Sequence, residues 1–251
     1  MIDKLDLNTK ASIIRKKLGE DDSSPIDIFS LAQSIDSLTL VFYPLGQNIS
    51  GACFRSHLSA IIAINSSMSV GRQRYSLAHE LYHLYFDQEM ASTVCSSKIG
   101  SSNVNEQRAD RFASYLLMPH AAFIEAVQKC KKASGNKLSL NDVIRMEQYF
   151  GVSHQAMLVR LQEENELSSA EAEAMKAGVI SLAARLGFDV SLYKPSPEDK
   201  RIRVLGHYIH QTDRLLQAGL ISIGKYEELL LDAFREDIVF GEGTEEGNPI
   251  D

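Results

Sequence analysis

The pattern His79-Glu80-Leu81-Tyr82-His83, set inside an apolar run, constrains this chain more than any other feature. Residues four apart lie on one face of a helix, so both imidazoles can reach one ion. Glu80, one position on, stands near that ion without ligating it, where it can take a proton from water the metal activates. Tyr75-Ser-Leu-Ala78 and Leu84-Tyr-Phe86 flank the pattern with the apolar residues that bury such a helix. A five-residue pattern can also arise by chance on a charged helix, so a third ligand decides the matter.

The next helical stretch offers one. Asn105-Glu106-Gln-Arg-Ala-Asp110 places Glu106 and Asp110 four apart, hence on one face. Glu106 can complete a three-ligand set that leaves a fourth position to water. Asp110 can accept the free N–H of a ligating histidine and orient it. The bland alternative is two acidic residues on a solvated face, and beside the histidine motif it is the weaker reading.

Around this centre the chain reads as α+β. Residues 3–18 carry a helical apolar stripe (Leu5, Ile13, Ile14, Leu18), and Pro25 can start a second helix with Ile28, Phe29, Leu31 and Ala32 inward. Three β-rich runs follow, 37–43, 51–55 and 60–64, predicting a small sheet with the helices on one side. Helical periodicity returns over 70–86 and 104–117, separated by a Ser-rich stretch from Asp87 to Asn103 without periodicity, which predicts a long functional loop. Residues 119–130 and 139–163 read as helical, the latter broken at Gly151-Val-Ser153 into a helix-turn-helix outline. Beyond Glu164 the pattern predicts a mostly helical region, 168–186 and 198–235, and an acidic disordered tail. The expected organisation is 1–135 catalytic, 136–165 a helical segment packed on it, and 166–251 a C-terminal region that either docks a partner or a second copy of the chain or buttresses the catalytic domain.

Composition excludes several function classes. Twenty-six basic against 33 acidic residues leave a net charge of −7, which repels polyanions. The helix-turn-helix outline is no better: Lys137, Arg145 and Arg160 face Asp142, Glu147, Glu163 and Glu164, a net of −1, so direct DNA binding is disfavoured. No apolar run reaches membrane-spanning or signal-peptide length. Three widely spaced cysteines, Cys53, Cys95 and Cys130, form no disulfide framework, and a reducing cytoplasm is the expected compartment.

The ordered set His79-Glu-Leu-Tyr-His83, Glu106-x-x-Ala109-Asp110-x-Phe112-Ala113 and Leu116-Leu-Met-Pro119 resembles the ImmA/IrrE family of metallopeptidases. The upstream Ile61-Ile-Ala-Ile-Asn65 and Arg74-Tyr-Ser-Leu-Ala-His79, and the downstream Phe150-Gly-Val-Ser153 with Arg160-Leu161, match too, so the resemblance covers roughly residues 10–165. The Asn-Glu-x-x-x-Asp segment is also similar to thermolysin-like enzymes, where the glutamate ligates and the aspartate orients a histidine. The resemblance implies a zincin-like fold and one Zn²⁺ per chain. It further implies cleavage of a partner protein, typically a helix-turn-helix repressor, in phage, mobile-element or stress control. The competing reading is a non-proteolytic, antitoxin-like interaction protein on the same fold, against which the intact Glu80 and ligand set argue.

Other residues are weaker candidates. Tyr75, Tyr82, Tyr115 and His120 are candidate oxyanion donors, each more readily explained by packing. His207 and His210 lack an acidic partner at ligand spacing and read as surface residues. Cys95 could occupy the water position and hold the enzyme off, or could be an ordinary loop cysteine.

Overall fold

The computed structural model describes residues 3–87, 92–96, 103–133 and 135–241. Helix α1, Lys4–Lys17, is capped by Asp3, whose carboxylate accepts from the Leu5 and Asp6 N–H groups, and ends in three basic residues that complement the helix dipole. Helix α2, Ile28–Gln33, starts at the Asp27 cap, two residues after Pro25. Strands β1 (Leu38–Tyr43), β2 (Ile49–Arg55) and β3 (Ala60–Asn65) follow, then α3, Val70–Phe86. Strand β4 is Ser92–Ser96, and α4 (Val104–Leu117), α5 (His120–Ala133), α6 (Leu140–Phe150) and α7 (His154–Glu163) come next. Short helices α8 (Ser169–Ala174) and α9 (Val179–Arg185) lead to strand β5, Arg203–Gly206. Helices α10 (His207–Gln217), α11 (Ile223–Asp232) and α12 (Glu236–Val239) complete the described chain. No helix among the described residues is long and apolar enough to cross a membrane.

The sheet has five strands in the order β4-β2-β3-β1-β5. Strands β1 and β3 run parallel, with Leu40 opposite Ile62 and Phe42 opposite Ile64, and all four side chains are buried. The other pairings are antiparallel. Helix α3 lies against β2 and β3, and α4 packs along α3. Eleven of its 17 residues are buried, so α3 is covered nearly all round and is the central rod of an α+β domain. Its ends are held by distant parts of the chain. The Val70 N–H donates to the Lys194 carbonyl, while the Arg55 guanidinium donates to the Leu84 and Asp87 carbonyls.

Helices α6 and α7 keep the helix-turn-helix outline, and their inner faces join the main core. Phe150, Met157 and Leu161 belong to the same buried cluster as Leu77 and Phe112. The turn between them presses on α3 at Gly71, where a Cβ would stand 2.8 Å from the Ser153 nitrogen, so no larger residue fits. Arg160 is buried, its guanidinium stacked 4.2 Å from the Tyr115 centroid and hydrogen-bonded to Ser114.

Two strands correct the sequence reading. The stretch from Asp87 to Asn103 is not a plain loop, because residues 92–96 pair with β2. The stretch 198–235 is not all helical, because Arg203–Gly206 pairs antiparallel with β1. In β4 the apolar Val94 faces solvent (60% exposed), which hides the strand pattern. In β5, Val204 and Leu205 read as the start of a helical stripe, but pairing with the free edge of β1 outweighs local propensity. Gly206, at φ +84°, then turns the chain into α10, where a side chain would strike the Leu38 carbonyl.

The C-terminal region thus returns to the sheet. Tyr208 N–H donates to the Thr39 hydroxyl, and Ser196 donates to Gln73 on α3. Truncation at residue 165 is therefore expected to lower the thermal midpoint and promote aggregation through the uncovered β1 edge. The four paired positions of β5 alone represent at least ~2 kcal/mol at roughly 0.5–1.5 kcal/mol per hydrogen bond. A shortened chain that stays monomeric with an unchanged midpoint would identify residues 166–251 as an independent docking module.

Candidate metal centre

Helix α3 presents His79 and His83 on the face that α4 crosses, and α4 brings Glu106 in from its first turn. Asn103 caps α4 by accepting from the Asn105 N–H, which sets the angle at which Glu106 enters. Three ligand-type side chains converge. His79 Nε2 lies 3.2 Å from His83 Nε2, Glu106 Oε2 lies 3.3 Å from His79 Nε2, and Glu106 Oε1 lies 3.4 Å from His83 Nε2. Bonds of ~2.0–2.1 Å to a tetrahedral ion place neighbouring donors ~3.3–3.4 Å apart, so these atoms fit a zinc-sized ion. Two imidazoles and one carboxylate are also a donor set suited to that ion, with a fourth position to spare.

Each imidazole is oriented from behind. His79 Nδ1 is 2.9 Å from Asp110 Oδ1, and His83 Nδ1 is 3.1 Å from Asp87 Oδ2. An ionised carboxylate only accepts, so Nδ1 of both rings carries hydrogen and Nε2 is turned inward. Asp110 itself sits under Tyr75, whose hydroxyl donates to the Asp110 carbonyl at 2.6 Å. Asn105 donates to Asp87, fixing that carboxylate in turn. Asp87 escaped the sequence reading. Its spacing of four from His83 was the available signal, but it lies just past the apolar run, at the helix end.

The electrostatics call for a cation. Burial alone would depress the His79 pKa, yet hydrogen bonds to Asp110 and Glu106, with the nearby Glu80 charge, lift it to about 9. Burial would raise that of Glu106, but the paired His79 and His83 hold it well below the usual carboxylate range. A metal ion bound there would displace a proton held on His79.

Glu80 is fully buried, and neither carboxylate oxygen has a hydrogen-bond partner among the described residues. Burial raises its proton affinity above that of a solvated carboxylate. It packs against β2 at Gly51, where a Cβ would stand 2.7 Å from Glu80 Oε1. Cys95, on β4, is buried as well. Its sulfur lies with the His79, His83 and Glu106 donors in one group whose atoms are all within 4.8 Å of one another.

The oxyanion candidates are committed elsewhere. Tyr75 is bound to Asp110, Tyr82 packs on Phe86 and Phe112, and Tyr115 lies under Arg160. His120 is half-exposed beside Arg160 and Glu164. His207 binds the Asp36 carbonyl at the sheet edge, far along the chain from the centre.

Asp87→Ala and Asp110→Ala are each expected to weaken metal affinity by ~10–100-fold, the cost of losing a carboxylate behind a ligating imidazole. Chelator competition measures it. Unchanged affinity would show that packing alone fixes the rings, and a complete loss in Asp110→Ala would make Asp110 a ligand.

The family described as the IrrE N-terminal-like domain matches at residues 38–162. The chain is also similar to the radiation response metalloprotease IrrE of Deinococcus deserti, 28% identical over 188 residues. That match covers 69% of this chain and 66% of the relative, just under two thirds of its length.

Proposed function

The chain belongs to the ImmA/IrrE family, and from that premise we propose that it is a zinc-dependent, site-specific endopeptidase. His79, His83 and Glu106 hold the ion, Asp110 and Asp87 orient the two imidazoles, and Glu80 is the general base. The observation that carries this reading is the convergence of His79, His83 and Glu106, paired at 3.2–3.4 Å, beside a buried, unpartnered carboxylate.

A zinc ion bound there would acidify water toward neutrality and polarise a peptide carbonyl. The chain's own residues do the rest. Glu80 takes the proton of the attacking water on its carboxylate and delivers it to the nitrogen of the leaving amine. Its burial makes it a stronger base than an exposed glutamate. The site excludes bulk water, since both imidazoles and Glu80 are buried, which strengthens each interaction there.

The substrate we propose is a partner protein, in particular a helix-turn-helix repressor whose loss switches on a phage, mobile-element or stress programme. Family membership supports this, as does the relative's role in a radiation response. Strand β4 borders the centre and, among the described residues, is paired on one side only, so an extended segment can add to its free edge. The negative charge of the α6–α7 unit favours a protein over DNA as the partner.

The test is metal content measured together with cleavage. One zinc per chain is expected, lost in His79→Ala, His83→Ala and Glu106→Ala. Glu80→Gln is expected to keep the metal while cleavage of the cognate repressor falls ~10²–10⁴-fold, the usual cost of losing a general base. Casein is expected to survive incubation with the purified chain. Full metal content in Glu106→Ala, or undiminished cleavage by Glu80→Gln, would overturn the assignment.

A further inference from the structure

We propose that Cys95 is a fourth protein ligand of this centre, its sulfur closing the ring of His79, His83 and Glu106 so that the enzyme folds in a held-off state. The inference rests on the metal-site reading above and goes beyond it.

The pairing of β4 with β2 generates the geometry. Cys95 stands directly opposite Gly51, and residues opposite one another in an antiparallel pair project to the same face. At Gly51 that face meets the Glu80 carboxylate. Cys95 is therefore aimed at the same place, and it is 1% exposed while its neighbour Val94 is 60% exposed. Glu80, fully buried and without a hydrogen-bond partner, stands in the same space.

An ordinary core cysteine serves as a small hydrophobe among apolar neighbours. This one faces acids. Its sulfur lies with the His79, His83 and Glu106 donor atoms, and a metal bound there would take it as the thiolate. The four donors lie within 4.8 Å of one another. Bonds of ~2.3 Å to sulfur and ~2.0–2.1 Å to nitrogen set a tetrahedral S···N separation of roughly 3.6 Å, so a shift of about 1 Å suffices to complete the set.

Four protein donors make a closed site, whereas a catalytic one keeps a position open. Opening requires the Cys95 thiolate to leave and take up a proton. Its strand favours that. β4 has five residues at the sheet edge and, among the described residues, pairs only with β2. Its outer edge is also where an extended substrate would add, so docking of the correct segment can be coupled to withdrawal of the thiol.

The experiment strips the full-length protein of metal and reloads it with cobalt(II) alone. Thiolate ligation gives a charge-transfer absorption in the near ultraviolet that nitrogen and oxygen donors do not. The wild type is expected to bind one cobalt and show the band. Cys95→Ser and Cys95→Ala are expected to bind cobalt and lose it, with circular dichroism confirming the fold, and Cys53→Ser to keep it. Cobalt bound without the band, or a band that survives in Cys95→Ser, would overturn the cysteine ligand and leave the three-ligand site standing. Absence of any bound cobalt in the wild type would overturn both.

Discussion

Imidazole–carboxylate pairing between α3 and α4 is the interaction around which the rest of this molecule is arranged. Two histidines and a glutamate of one helix are taken out of water, a step that is strongly unfavourable for polar groups without partners. Glu106, Asp110 and Asp87 supply those partners for the imidazoles and leave Glu80 alone unanswered. A buried carboxylate with no partner works against stability and is retained where chemistry needs it. The apolar packing of Leu77, Leu81, Phe112 and Leu116 around the pairing holds the two helices at the distance the donors require.

How far the sequence discloses this depends on the range of the physics involved. Helix periodicity is local, so the spacing of His79 and His83, and of Glu106 and Asp110, translates directly into shared faces. The two short edge strands are another matter. Whether Ser92–Ser96 and Arg203–Gly206 become strands is decided by vacant edges of β2 and β1, which belong to distant sequence. Cys95 was legible as a residue able to reach the centre, but its place beside Glu80 follows from the register of β4 on β2. Asp87 lies between these cases: its spacing was visible, but only the end of α3 shows that its carboxylate turns back toward His83.

The α6–α7 unit shows how outline and role separate. Its capping box at Ser139 and Asp142 and its tight turn make a well-formed helix pair. The faces that a groove reader would need are spent on the core, with Phe150 and Leu161 buried and the turn wedged against Gly71. Glu147, buried, receives His154 and Tyr193, which ties the unit to the segment before β5. The pair is a strut between α3 and the C-terminal region.

The Lys194 carbonyl that satisfies Val70 at the start of α3 has a consequence in time. A ribosome releases the chain from its N-terminus, and Lys194 follows the last histidine of the motif by 111 residues, with β5 later still. The first turn of α3 is therefore satisfied by chain that has yet to be made when its own residues emerge.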